Sequence, residues 1–338
     1  MMTDFKRMVL RRIVAAGIAV LSSSVVAEVK TPALTITDAA KGGPDFAVQG
    51  EYTGKFRDEA FGIQIVALGR GEFDAVLCSG GLPGAGWTGT PNPRQQVRGK
   101  REGDGANGAV KFTGNGWIAT AGGAKIKIRD VKEQEIGALT KIERKSPTLG
   151  LAPPAGAVVL FDGGSLAHFK PGARKTDDGL LMEGCTSVEE FGDCIVHIEF
   201  RLPFQPESRG QGRGNSGMYL AGRYEVQMLD SFGLKGENNE CGGIYTVAKP
   251  RVNMCLPPLQ WQTYDVEFKA PRFDEKGAKT ADAEISVRHN GELIHEDVKV
   301  PKPTASAIIA TEAPKGPLHL QNHGNPARYR NIWVLPKN

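Results

Sequence analysis

Several absences narrow the reading of this chain at the outset. Its five cysteines, Cys78, Cys185, Cys194, Cys241 and Cys255, contain no C-x-x-C pair, which argues against a zinc site. There is no internal repeat, no low-complexity tract and no long helical apolar period. Past the N-terminus no segment is apolar enough to span a bilayer. The glycine-rich stretch from Gly80 to Gly89 lacks the Lys-Ser/Thr ending of a phosphate loop and the helix of a dinucleotide fingerprint, so it reads as a turn. Strong charge of either sign is also missing. The formal net charge is +4, and it falls to +1 once Lys6, Arg7, Arg11, Arg12 and Asp4 are discounted with the first 27 residues. A chain so nearly neutral has no electrostatic footprint for nucleic acid or an anionic membrane.

What is present points to short strands. The 338 residues suffice for two ordinary domains, or for one large domain with an appendage. Forty-three glycines and 21 prolines favour many strands joined by turns, with little helix. Residues 1–27 read as a signal peptide: a basic start, a short apolar run from Ile13 to Leu21, and small residues ending at Val25-Val26-Ala27. The expectation is cleavage after Ala27 and a secreted or periplasmic protein without a membrane span, an uncleaved anchor being the alternative. Export permits disulfides, the odd cysteine count leaves at least one thiol over, and Cys241 with Cys255 is the pair that one loop could join.

The clearest boundary runs from Lys145 to Gly156, where Pro147, Pro153 and Pro154 cannot serve as interior ladder donors. Residues 28–145 form a small β-rich N-terminal domain, 146–157 a Pro/Gly linker, and 158–338 a second domain. Before the boundary, strands are expected at residues 62–68 and 72–78, joined by a hairpin at Gly69-Arg70-Gly71, and at 109–112, 117–121 and 125–129. After it the alternation is cleaner. Val196, Ile198, Phe200 and Leu202 share one face, with His197, Glu199 and Arg201 on the other. Tyr224, Val226 and Met228 oppose Glu225 and Gln227 in the same way. Further strands are read at 264–268, at 285–289 leading into the type I′ turn Asn290-Gly291, at 292–295, at 317–323 and at 329–335. Period-two patterns on this many strands give an all-β class: an antiparallel β-sandwich behind a smaller, mostly-β N-terminal domain.

Several outward positions hold residues suited to sugars and protons. Glu225 and Gln227 leave their strand on one side about 7 Å apart. Gln321 and His323 do the same, with His319 in phase if that strand begins early, and Glu199 with Arg201 makes a third pair. If the three strands are neighbours, they build one polar hollow. Each pair taken alone reads equally well as solvated surface.

Eight motifs fall in the order seen in one family: Leu160-Phe-Asp-Gly-Gly-Ser-Leu, Gly214-Asn-Ser-Gly-Met-Tyr-Leu, Tyr224-Glu-Val-Gln-Met-Leu-Asp-Ser, Cys241-Gly-Gly-Ile-Tyr, Trp261-Gln-Thr-Tyr-Asp, His289-Asn-Gly, Leu320-Gln-Asn-His-Gly-Asn-Pro and Tyr329-Arg-Asn-Ile. Over about residues 156–336 the chain resembles the 3-keto-disaccharide hydrolase domain family. The N-terminal stretch and linker resemble an extension of planctomycete-type members. The resemblance implies a concanavalin A-like (jelly-roll) sandwich with ligand on the concave face, and cleavage of 3-keto-glycosides. A ketone at C3 makes the C2 hydrogen acidic; a base removes it, the C1 substituent leaves, and water adds to the enone. On that chemistry His323 or Glu225 is the base and the other the acid, and Arg201 steadies the enolate oxygen. Gln227, Gln321 and Asn215 hold hydroxyls, and Tyr245 or Trp261 stacks on the sugar ring. The loops from Phe204 to Arg213 and from Glu237 to Pro258 are larger than the family pattern and are expected to cap the cleft.

Plainer readings stand beside these. Trp261 suits a core position, Asn215 and Asn325 suit turns, Arg201 can pair with Glu199, Asp230 can cap a turn, and His168 and His197 are ordinary. A non-catalytic, lectin-like carbohydrate-binding protein would use Gln227, Gln321 and an aromatic ring without needing a proton shuttle. An ordinary glucanase is weaker, since no E-x-D-x-x-E ladder occurs. No cofactor is called for, and the only metal in view is a structural calcium, for which Asp162 and Asp230 are the candidate ligands.

Overall fold

The computed structural model describes residues 34–89, 94–103 and 108–337. The expected signal peptide lies outside these residues. No helix among them is long and apolar enough to cross a membrane.

The first half of the described chain closes into an eight-stranded barrel. Its strands are β1 (Gly50–Phe56), β2 (Glu59–Gly69), β3 (Glu72–Ser79), β4 (Gln95–Arg101), β5 (Val110–Gly114), β6 (Trp117–Gly122), β7 (Lys125–Asp130) and β8 (Glu135–Ile142). Each pairs antiparallel with the next, and β8 returns to β1, so the order is a simple meander. Closure removes every sheet edge from this unit. Tyr52, Ile63, Ile65, Phe73, Phe112, Ile126 and Leu139 fill the interior, alternating with polar outward residues. The hairpin at Gly69-Arg70-Gly71 turns with all three residues at positive φ (88°, 56° and 72°), which explains the two flanking glycines. β1, β4 and β8 had no sequence expectation: they are rich in charge and glycine and bury little beyond the barrel interior.

The second half is a sandwich of a seven-stranded and a four-stranded sheet. Its strands are β9 (Val158–Phe161), β10 (Leu181–Met182), β11 (Cys185–Phe191), β12 (Cys194–Arg201), β13 (Ser216–Leu220), β14 (Tyr224–Met228), β15 (Trp261–Lys269), β16 (Ala283–His289), β17 (Glu292–Val300), β18 (Gly316–Leu320) and β19 (Arg328–Pro336). The larger sheet runs β9-β19-β12-β15-β16-β17, with β10 also on β19, and the smaller runs β11-β18-β13-β14. The period-two residues do what their spacing requires. Val196, Ile198 and Phe200 of β12 meet Met218, Leu220, Tyr224, Val226 and Met228 of the smaller sheet in one core. Asn290 and Gly291 both take positive φ (51° and 82°) between β16 and β17, as a type I′ turn demands.

Barrel and sandwich belong to one compact unit, Ala33–Asn338. Phe204 packs in the barrel's apolar cluster with its ring 5.2 Å from Phe46, and it exchanges two backbone hydrogen bonds with Ile36. The linker is fastened to the outward face of the larger sheet. Thr148 Oγ1 donates to Asp265 Oδ2 (2.7 Å), Gly150 N donates to Glu199 Oε1 (2.5 Å), and Asn331 and Trp333 donate to the Leu151 carbonyl.

All five cysteines are buried free thiols. Cys241 and Cys255 lie side by side, close enough to hydrogen-bond to one another.

Candidate functional site

The outward face of the smaller sheet gathers most of the polar residues singled out above. The ladder register pairs Glu225 with Tyr219, Tyr219 with His319, and His319 with Thr186. On the open edge of β14, Tyr245 N donates to the Glu225 carbonyl, so Tyr245 extends the same row. A second row holds Gln227 opposite Gly217, with Gln321 N donating to the Gly217 carbonyl. Residues directly opposite share a face. Two neighbouring rows thus bring together Glu225, Gln227, Gln321 and Tyr245, with Asn215 one step beyond Gly217.

Glu225 stands at the centre. It is only 2 % exposed, and Tyr219 Oη donates to its Oε2 at 2.8 Å. No cation lies within ion-pair distance of it among the described residues. Burial pushes its pKa up, the Tyr219 hydrogen bond opposes this in part, and the result is about 7. Gly217 makes the position possible, because a Cβ there would overlap Glu225 Oε1. Gln321 Nε2 donates in turn to Tyr219 Oη (3.1 Å), which ties the two rows together. His319 Nδ1 lies 2.8 Å from Thr186 Oγ1, its ring centroid is 5.7 Å from that of Tyr219, and burial lowers its pKa.

The amide corner of this face carries open valences. Asn215 Nδ2 donates to the Gln211 carbonyl and Oε1, and Gln227 Nε2 donates to the same Gln211 Oε1 at 3.2 Å. Gln227 Oε1 and Asn215 Oδ1 are buried without a partner. Two buried acceptors beside a carboxylate suit a ligand that brings hydroxyl donors. Gln211 comes from the Phe204–Arg213 loop and Tyr245 from the Glu237–Pro258 loop, so both enlarged loops reach this face.

Three expectations need correction. Arg201 does not share the hollow with Glu225. Its strand β12 pairs with β15 and β19 in the larger sheet, so Glu199 and Arg201 project from the opposite side of the sandwich. Alternation tells which residues leave a strand together, not which sheet the strand joins. Trp261, the cross-strand partner of Arg201, lies there too, with the Arg330 guanidinium 4.1 Å and the Arg201 guanidinium 5.1 Å from its ring centroid. His323 is not on a strand. β18 ends at Leu320, Asn322 Oδ1 accepts from Gly324 N, and His323 is exposed on the resulting turn. His319 occupies the place in Glu225's row instead.

The sequence reading missed Tyr219, Gly217 and Gln211. The first two were within reach, since Asn215, Gly217 and Tyr219 alternate along β13 toward one face. Gln211 carried no signal, because its loop has no period. Asp230 is engaged by Arg213 Nε (2.6 Å), and Asp162 Oδ1 accepts from Gly164 N. Among the described residues no three His, Cys, Asp or Glu side chains gather in a metal-binding group.

Comparison with curated proteins finds no match. Among solved structures, the chain is similar to a "putative glycosyl hydrolase" from Parabacteroides distasonis, with 30% identity, a TM-score of 0.50, and coverage of 54% of this chain and 85% of that one. Two further structures from the same organism bear the same description, at 15% and 19% identity and TM-scores of 0.41 and 0.38. Residues 156–335, more than half of the chain, match the family model of the 3-keto-disaccharide hydrolases. The chain therefore belongs to this family, the 3-keto-alpha-glucoside-1,2-lyase-like domain proteins.

Proposed function

We propose that the protein cleaves 3-keto-glycosides on the outward face of the four-stranded sheet, with Glu225 as the base that removes the C2 proton. Family membership supports a glycoside-cleaving function, and the state of Glu225 supports the specific chemistry. A carboxylate buried without a cation, with its pKa raised to about 7, has a proton affinity suited to taking a carbon-bound proton near neutral pH. An ordinary surface glutamate, titrating near 4.5, would be a far weaker base.

The other roles follow from position. Gln321 offers an amide N–H to the C3 oxygen as the enolate develops, and His319, whose ring is held by Thr186 and the Cys185 carbonyl, stands two residues before it on the same face. Gln227 Oε1 and Asn215 Oδ1 accept from ring hydroxyls. Tyr245 borders the sugar at the sheet edge. His323, on the exposed turn after β18, would be the acid that protonates the departing C1 oxygen. The C2–H and C1–O bonds break, a C1=C2 enone forms, and addition of water yields the free 3-keto-sugar. Arg201 and Trp261 have no part in this scheme.

Product analysis tests the reading. Incubation with 3-keto-trehalose, 3-keto-sucrose and 3-keto-lactose should release free sugar, with the rising limb of kcat/KM following the ionisation of Glu225 at about pH 7. Equal consumption of the unoxidised disaccharides would indicate an ordinary glycosidase, and binding without release would leave a lectin.

A further inference from the structure

A cavity of about 690 Å³ lies where the barrel meets the sandwich, remote from Glu225 in both lining and sheet. Lys141, Gln49 and Lys145 line its barrel side, and Gln260, Trp261 and Arg330 its sandwich side. Seams between domains are common sites for small ligands.

Three features of the lining are unfinished. Gln49 is 3 % exposed, and its Oε1 accepts from Ala67 N (2.9 Å), which fixes the orientation of its amide and leaves Nε2 buried without a partner. The Lys141 ammonium donates to the Ala47 carbonyl (2.6 Å) and lies 5.9 Å from the Tyr52 ring centroid, yet it has no ion pair among the described residues. On the opposite wall Gln260 Oε1 is buried without a donor. The charges facing the cavity are Lys141, Arg144, Lys145 and Arg330 against Glu143 alone. Arg144 is already held by Glu51 and Arg330 by Glu199, which leaves two lysines facing the single carboxylate of Glu143. A half-buried ammonium and a buried, unpaired amide N–H in one cavity lining suit an anion, and a carboxylate has an oxygen for each donor. The lone acceptor across the cavity asks for a hydroxyl.

We propose that this cavity binds a hydroxylated carboxylate, of which a uronic acid residue of a glycan is the chemical type. The carboxylate sits between Lys141 Nζ and Gln49 Nε2, and a ring hydroxyl donates to Gln260 Oε1. The anion requirement stands by itself, and only the choice of a sugar rests on the carbohydrate reading above.

Calorimetric titration of the full chain with glucuronate, glucose and acetate tests the site. Glucuronate should bind more tightly than either of the others. Lys141→Met should weaken it about tenfold to a hundredfold, the loss that a charge-assisted hydrogen bond carries. Gln260→Met should remove the advantage of glucuronate over acetate. Lys145→Ala, at an exposed position where folding is not at stake, should weaken glucuronate a few-fold and keeps the test open if Lys141→Met fails to fold. Equal affinity for glucose and glucuronate, or glucuronate binding untouched by Lys145→Ala and Gln260→Met, overturns the proposal. Glu225→Gln should leave this binding unchanged, so loss of turnover and loss of the second site are read separately.

Discussion

Two glutamates on opposite sheets of the sandwich show how differently one fold can treat the same side chain. Glu225 on β14 and Glu199 on β12 are 2 % and 1 % exposed, and both project away from the common core. Burial pushes both carboxyls up. Glu225 has one neutral partner and ends at about 7. Glu199 is bound by His197, Asn331, the Gly150 N–H and Arg330, which together outweigh burial and hold it at about 2. Burial by itself therefore does not mark a site. The number and charge of partners decide whether a buried carboxylate is kept reactive or locked as a fastening. Glu199 holds the linker; Glu225 takes a single neutral hydrogen bond, from Tyr219.

Exchanging each carboxylate for its amide should split the pair most sharply. Glu225→Gln should cut turnover of a 3-keto-glycoside by about 10²- to 10⁴-fold, the usual range for a lost general base. The same change should stabilise the protein in alkaline solution. The folded-state pKa of Glu225 lies above its ordinary 4.5, so ionising it costs stability as pH rises from 4.5 through 7. The gain, at most about 3 kcal/mol at pH 8 and none near pH 4, can be read from urea unfolding at the two values. An unfolding midpoint that falls at pH 8 would contradict the assigned state of the carboxyl.

Glu199→Gln should do the reverse. Its depressed pKa means that its contribution is present above the ordinary carboxyl value and is lost as pH falls toward 2. Removing it should cost about 3 kcal/mol at neutral pH, the low end for a broken buried pair because Arg330 keeps solvent contact. Turnover per folded molecule should hold, and a large drop in kcat would show that the two faces communicate.

Tyr219→Phe sharpens the comparison more gently. It removes the hydrogen bond that opposes burial at Glu225, so the rising limb of the pH–rate profile should move up by about one pH unit. An unmoved limb would detach that limb from Glu225.

Much of the sandwich was legible because a core-facing strand must alternate. The split of Val196, Ile198 and Phe200 from His197, Glu199 and Arg201 is written in the order of residues and survives folding intact. Sheet membership is not written there: β12 and β14 carry the same kind of pattern and pair with different neighbours. The end of β18 was also hidden, since Gln321 to His323 continue an acceptable alternation until Gly324 bends the chain away (φ 76°). In the barrel, β5, β6 and β7 were read correctly, while β4 and β8 were lost among lysines, arginines and glycines. A closed barrel needs only one apolar face per strand, and that face can be as small as Gly99.

The position of β19 has a consequence for synthesis. Arg328–Pro336 does not trim an edge of the larger sheet: it pairs with β9 on one side and with β12 on the other. The barrel's strand pairing needs only sequential neighbours plus one closure, so its ladder can form while the rest of the chain is still being made, with Phe204 and Leu259 added to its core later. The sandwich stays open until its final strand arrives, and a chain stopped short of Arg328 would lose an interior strand and not merely a tail.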